Sequence, residues 1–207
     1  MILIGQYDSP FVRRVGIALR LYGMEFEHRP WSVFGDAEKI RPFNPLIRVP
    51  TLVLDDGFVL IDSHMILDYL DTRVSPDRAL FPRTEPDRHR VLKVTTQATG
   101  LAEKAVSLFY ERRLHDEPSP TWEARCTLQI STVLAALEAD RASRTGDWWF
   151  GTLSHADIAV ACALGFVQGA HPGVFRTEAC PALAAHARRM ETMPEFREVF
   201  QEVIPPS

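Results

Sequence analysis

The spacing of apolar positions changes near residue 75. Before it, short apolar runs alternate with stretches of helical period. Met1–Gly5 is an apolar run suited to a strand, and Pro10–Tyr22 carries Phe11, Val15, Ala18, Leu19 and Tyr22 at helical spacing. Ser9 before Pro10 reads as an N-cap followed by a first-turn proline, whose missing N–H costs nothing there. Phe26–Pro30 predicts a second strand and Asp36–Arg41 a short helix. The run "VPTLVLDDGFVLID" predicts two strands, Thr51–Leu54 and Phe58–Ile61. Asp56-Gly57 between them is a hairpin signal, because glycine accepts the positive φ that a tight turn requires. A further helix starts at Ser63, with Ile66, Leu67, Leu70 and Val74 on one face. The predicted order is β-α-β-α-β-β-α.

Residues 75–86, "SPDRALFPRTEP", hold three prolines and four charges, which marks a linker. Everything beyond it is helical in pattern: Asp87–Leu114, Pro120–Arg144, a helix from Ser154, Pro181–Met190 and Pro194–Phe200. Ser154 with Asp157 forms an N-terminal capping box, and Leu153 and Ile158 occupy its two staple positions. Trp148-Trp149-Phe150, just ahead of it, reads as interdomain or core packing. The expected organisation is an α/β unit over residues 1–75, a linker over 76–86 and an all-helical unit over 87–207.

Composition narrows the classes. The chain has 207 residues, of which 46% are hydrophobic and 24% charged, an ordinary balance for a globular protein with a real core. Its net charge of −4 argues against nucleic-acid binding, which needs a basic face. Cys126, Cys162 and Cys180 are widely spaced and form no Cys-x-x-Cys pair, so neither a disulfide framework nor a zinc knuckle is expected. The seven histidines show no ligand spacing, so no metal site is expected. The longest apolar stretch, Ile158–Val167, is about half of the roughly 20 residues a membrane helix needs. No signal-peptide pattern is visible at the start. A soluble, cytoplasmic protein without nucleic-acid or membrane partners is the expectation.

Four features in the first third carry potential chemistry: Ser9 before Pro10, Arg48, Val49-Pro50 before a strand, and Asp62-Ser63 opening a helix. Singly, each has a plain reading. Ser9 and Ser63 serve as helix caps, Asp62 as a charge favoured by the helix dipole, Arg48 as a surface cation and Pro50 as a turn residue.

Together they resemble the glutathione transferase family, and the resemblance covers essentially the whole chain. "NPLIRVPTLV" is similar to the family's segment with a cis proline, here Pro50. "IDSHMILDYL" resembles the segment that binds the γ-glutamyl end of glutathione, and "SHADIAVACAL" resembles the capping motif of the family's helical domain. Ser9 falls where the family places its catalytic Ser, Tyr or Cys, so the chain resembles a serine-type member of bacterial or plant tau flavour. Tyr7 lies two residues earlier. The resemblance implies a thioredoxin-like N-terminal domain followed by an all-helical domain, and glutathione as co-substrate. It implies a homodimer, detoxification chemistry, and transfer of glutathione to a small apolar electrophile. Isomerase, dehalogenase and ether-cleaving activities, or a non-catalytic interaction role, are its alternatives.

By the same resemblance Ser9 donates its O–H to the glutathione sulfur and Val49, ahead of Pro50, pairs with the peptide backbone. Arg48 meets the glycine carboxylate, Ser63 the γ-glutamyl carboxylate and Asp62 the ammonium. Phe11, Phe34 and Tyr110 are expected to line the electrophile site. The chain departs from many relatives in having Asp at position 62 rather than the longer Glu. His64 is expected on the helix surface, and Arg13 either steadies the Ser9 loop or forms an ion pair.

Overall fold

The computed structural model describes residues 1–205. Strands β1 (Ile2–Ile4), β2 (Glu27–Arg29), β3 (Thr51–Val53) and β4 (Val59–Ile61) form one mixed sheet in the order β2-β1-β3-β4. Helices α1 (Pro10–Leu21), α2 (Ala37–Ile40) and α3 (Ser63–Thr72) complete this thioredoxin-like domain. An all-helical domain follows, made of α4 (Asp87–Leu114), α5 (Pro120–Ala142), α6 (His155–Ala170), α7 (Pro181–Glu191) and α8 (Pro194–Glu198).

Alternation along the strands sorts the two faces of the sheet. Leu3 and Leu52 join the main core with α1 and α3, while Ile4 and Val53 point the other way and meet Ile40 of α2. The pairing register decides what leaves the sheet together. β1 runs parallel to β2 and antiparallel to β3, and Ile4 stands opposite both Arg29 and Thr51. Thr51 in turn pairs with Ile61. The loop after Ile4, the segment before Thr51 and the turn after Ile61 therefore emerge at one edge. Ser9, Arg48-Val49 and Asp62-Ser63 sit on those three segments.

α1 is buried on nearly all sides, because it packs on α3 within its own domain and on α6 of the helical one. Its two arginines are buried with it. Arg13 bonds Glu191 Oε2 at 2.8 Å, the Val199 carbonyl at 3.1 Å and the Phe196 carbonyl at 3.2 Å, which resolves it as a tie to the helical domain. The main core then continues through α4 and α6.

Asp157 accepts the N–H and the Oγ–H of Ser154 and the N–H of Trp149, closing the expected capping box with Trp149 packed beneath it. Several helices end earlier than the apolar pattern suggests, α1 at Leu21 and α5 at Ala142 among them. α3 stops at Thr72, leaving Val74 outside it, and α8 stops at Glu198 because Val199 leaves helical geometry at φ −109°, ψ 37°. The Val199 carbonyl goes to Arg13 instead. Among the described residues no helix is long and apolar enough to cross a membrane.

Candidate active site

A cavity of about 330 Å³ lies between the sheet edge and the helical domain. Ser9, Phe11, Phe34, Arg48 and Val49 line it from the thioredoxin-like side and Tyr110 from α4. Six of the nine residues singled out from the sequence thus face one space. The other three do not line it. Pro50 is buried, and Asp62 and Ser63 stand at the same sheet edge outside the lining.

Ser9 is the N-cap of α1, in an extended conformation, and accepts the Val12 N–H at a long 3.4 Å. Among the described residues its hydroxyl proton has no acceptor, so the O–H is free to donate into the cavity. The unpaired N–H groups of the first helical turn lie beside it and add positive potential. This pairing of a hydroxyl donor with a helix N-terminus favours an anion.

The Arg48-Val49 turn is built from beneath. Buried Asn44 donates from Nδ2 to the Arg48 carbonyl at 2.8 Å and to Thr51 Oγ1 at 3.1 Å, and Thr51 Oγ1 donates to the same carbonyl at 3.0 Å. Ile47 takes φ +50°, a left-handed value costly for a β-branched residue. The Val49-Pro50 peptide is cis. Among the described residues neither the N–H nor the C=O of Val49 has a hydrogen-bond partner, which leaves both to pair with an extended peptide.

Gly5 makes room for this turn. Its φ is +128°, and a Cβ there would lie 2.6 Å from Val12 Cγ2 and 2.7 Å from Val49 Cβ. Gly5→Ala is therefore expected to cost about 1–3 kcal/mol by overpacking, measured by chemical denaturation. A variant as stable as the parent would show that the Val49 turn has slack.

Asp62 is also strained, at φ +71° and ψ 132°. It is the N-cap of α3, where Ser63 was the plain sequence-based choice. One carboxylate oxygen accepts the His64 N–H at 2.7 Å, and the side chain is otherwise exposed. Ser63 is buried at the first helical position, and its hydroxyl has no partner among the described residues. This corner thus combines a non-glycine residue held at positive φ with an unpartnered hydroxyl and a helix N-terminus, a combination suited to a carboxylate.

His64 is not the surface residue expected. It is half-buried, its Nε2 lies 3.1 Å from Thr99 Oγ1 of α4, and burial followed by the charge of Arg14 lowers its pKa to about 4. Its imidazole stays neutral and ties α3 to α4. Arg14 is fully buried, and none of its guanidinium nitrogens has a hydrogen-bond partner among the described residues. Burial pulls its pKa down to about 10, opposed by negative charge that includes Asp62.

Several lining residues carried no signal in the sequence. Val203, Ile204 and Pro205 bring the C-terminal segment over the cavity, and Asp8 lines it next to Ser9. Gln201 Oε1 accepts the Tyr7 N–H at 2.9 Å, and the Asp8 carboxylate accepts the Ile204 N–H at 3.1 Å. The Tyr7 ring stacks on His28 at 3.9 Å and lies outside the lining. The Phe34 and Tyr110 rings meet edge to face at 5.3 Å, bridging the two domains at the cavity mouth.

Comparison with known proteins places this geometry. Residues 3–78 match the description "Glutathione S-transferase, N-terminal domain" and residues 120–189 match "Glutathione S-transferase, C-terminal domain". The "Probable glutathione S-transferase GSTU1" of Oryza sativa subsp. japonica is 28% identical over 199 residues, 91% of this chain and 84% of the relative. A glutathione transferase family member of Pseudomonas fluorescens Pf-5, solved with bound glutathione, superposes with a TM-score of 0.86 at 30% identity over 98% of this chain and 99% of that one. A glutathione S-transferase of Methylobacterium radiotolerans JCM 2831, in complex with glutathione sulfonate, superposes at 0.90 with 28% identity over 98% and 96%. The "Uncharacterized GST-like protein YibF" of Escherichia coli K12 is 32% identical over 170 residues. That match spans 81% of this chain and 82% of YibF, and with both family domains matched in order the chain belongs to the glutathione S-transferase family.

Proposed function

We propose that this chain binds glutathione at the sheet edge and transfers its thiolate to a small apolar electrophile held in the cavity. The observation that carries the reading is the free Ser9 hydroxyl at the N-terminus of α1, opening into a cavity shared with Arg48 and Val49. Relatives crystallised with glutathione or glutathione sulfonate support glutathione as the thiol. Ser9 donates a hydrogen bond to the sulfur and stabilises the thiolate; it does not attack. Val49 pairs its N–H and C=O with the cysteinyl backbone. Arg48 takes the glycine carboxylate, Ser63 and the α3 N-terminus take the γ-glutamyl carboxylate, and Asp62 takes the ammonium. Phe11, Phe34 and Tyr110 hold the electrophile against the sulfur.

Residues 1–75 act in this reading as the glutathione-binding domain and 87–207 as the domain that closes the electrophile site. A homodimer fits the exposed apolar side chains Phe58 and Met65 on the thioredoxin-like domain and Leu128 on α5. A cytoplasmic role in detoxification fits this chemistry.

Titration calorimetry with glutathione, joined to thiolate absorbance and an aryl halide assay, tests the proposal. Arg48→Ala and Asp62→Ala are each expected to weaken glutathione binding about tenfold, the loss of one charge-assisted contact of roughly 1.4 kcal/mol. Affinities unchanged within twofold would remove those side chains from the site. Absence of glutathione binding at millimolar concentration would end the transferase reading.

A further inference from the structure

We propose that Asp8 sets the charge preference of the electrophile half of the cavity, so that the site takes neutral or positively charged electrophiles and rejects carboxylates and other anions. The inference rests on the glutathione reading above and names the substrate class of the same site.

Among the described lining residues, Asp8 and Arg48 are the charged side chains. They serve different halves. Arg48 is exposed on the turn that leads into Val49 and is neutralised there once it holds the glycine carboxylate. Asp8 precedes Ser9, is half-buried, and lines the cavity together with Tyr110 of α4. Its carboxylate accepts the Ile204 N–H at 3.1 Å, from the C-terminal segment that lines the cavity. Burial raises its pKa despite the backbone N–H donors around it.

The remaining groups around Asp8 do not cancel its charge. Tyr110 is a neutral phenol, since burial and then Asp8 raise its pKa. Arg13, in the adjoining cavity that Asp8 also borders, is committed to Glu191 and to the Phe196 and Val199 carbonyls. Glu202 in that cavity adds a further negative charge. With glutathione bound, the electrophile half keeps a net negative charge.

Thiol activation does not account for this carboxylate. A negative charge one residue from Ser9 opposes formation of a thiolate, which the helix N-terminus and the serine hydroxyl must offset. Its effect on a second ligand is direct. Phe11, Phe34, Phe109 and Phe166 line the cavity along with Asp8, and beside these apolar rings a charge is less screened than in open water. An anionic substituent beside Asp8 meets like-charge repulsion, the repulsive element on which specificity often depends. An ammonium gains an ion pair, and a neutral donor gains a carboxylate acceptor.

Three inert probes read this without turnover: S-benzylglutathione, its para-carboxylate and its para-aminomethyl derivative, each placing the ring in the electrophile half. Calorimetry on the full chain is expected to show the carboxylate binding at least tenfold more weakly than the parent, and the ammonium at least as tightly. Asp8→Asn preserves size and an acceptor for the Ile204 N–H and is expected to collapse the spread to within twofold. Asp8→Ser is expected to do the same should the amide perturb the loop. Parent and carboxylate binding wild-type protein within twofold of each other would overturn the proposal, as would an unchanged spread in a folded Asp8 variant. Failure of all three probes to bind at millimolar concentration would instead remove the glutathione site, and this inference with it.

Discussion

Ser9→Ala is expected to raise the pKa of the bound glutathione thiol by about one to two units and to cut kcat/KM at pH 7 by roughly ten- to a hundredfold. A free thiol has a pKa of about 8.5 and is only a few per cent thiolate at neutral pH, and the thiolate is the nucleophile. A charge-assisted hydrogen bond is worth roughly 1.5–3 kcal/mol, and one pKa unit corresponds to about 1.4 kcal/mol. One donor can therefore supply a shift of that size. Alanine leaves the α1 N-terminus in place, so part of the stabilisation persists and glutathione affinity changes less than the rate. The sign is fixed: a higher thiol pKa moves the acid limb of the pH–rate profile upward and lowers the rate at pH 7.

Helix destabilisation does not mimic this result. The Ser9 cap bond is long, at 3.4 Å, so its loss belongs at the low end for caps, about 0.5 kcal/mol. Thiolate absorbance against pH separates the two effects, and Ser9→Thr, which restores a hydroxyl, is expected to recover part of the rate. An alanine variant with the parent's pH profile would sink the donor role.

The elements of this fold were legible because each carries its own local signal. The period of Pro10–Leu21, the Asp56-Gly57 hairpin, the prolines of the linker and the Ser154–Asp157 box are all short-range features, and the structure realises each of them. What failed to show is what long-range packing decides. The ion pair weighed for Arg13 is present, but its partner Glu191 lies 178 positions away, and the complete burial of Arg14 between α3 and α6 has no local signal. His64 reads as exposed for the same reason, since nothing near it in sequence announces Thr99, 35 residues away.

The candidate site divides similarly. Ser9, Arg48, Val49, Phe11, Phe34 and Tyr110 face one cavity, and resemblance to a family picked them out where propensity could not. Asp8 and the Val203–Pro205 segment face it as well, but their meeting spans nearly the whole chain, with Ile204 bonded to Asp8 across 196 positions. The positive φ of Asp62 was equally hidden, because aspartate is a common N-cap in ordinary extended geometry.

Asp71→Ala is expected to destabilise the protein by about 3–5 kcal/mol, the largest loss of any single exchange considered, while leaving every cavity side chain in place. Asp71 sits in the last turn of α3, at the junction of both domains and the linker. One carboxylate oxygen accepts the Tyr22 hydroxyl from the end of α1 and lies 3.0 Å from His155 Nε2 at the start of α6. The other accepts the Phe81 N–H of the linker at 2.8 Å. Burial raises the Asp71 pKa, but hydrogen bonds from His155, Tyr22 and Phe81 outweigh it and hold the carboxyl below its usual range. Its contribution is thus present from about pH 4 upward and is lost only in stronger acid. Removing it strands three buried donors at once, each costing about 1–3 kcal/mol when unpaired. In a protein of this size that corresponds to a fall in Tm of about 10 °C. Asp71→Asn keeps the shape and one acceptor oxygen but turns the other position into a donor, so it is expected to lose about half as much. Urea denaturation at pH 7.5 measures both variants, and a loss below about 1 kcal/mol for alanine would show that these contacts do not hold the domains together.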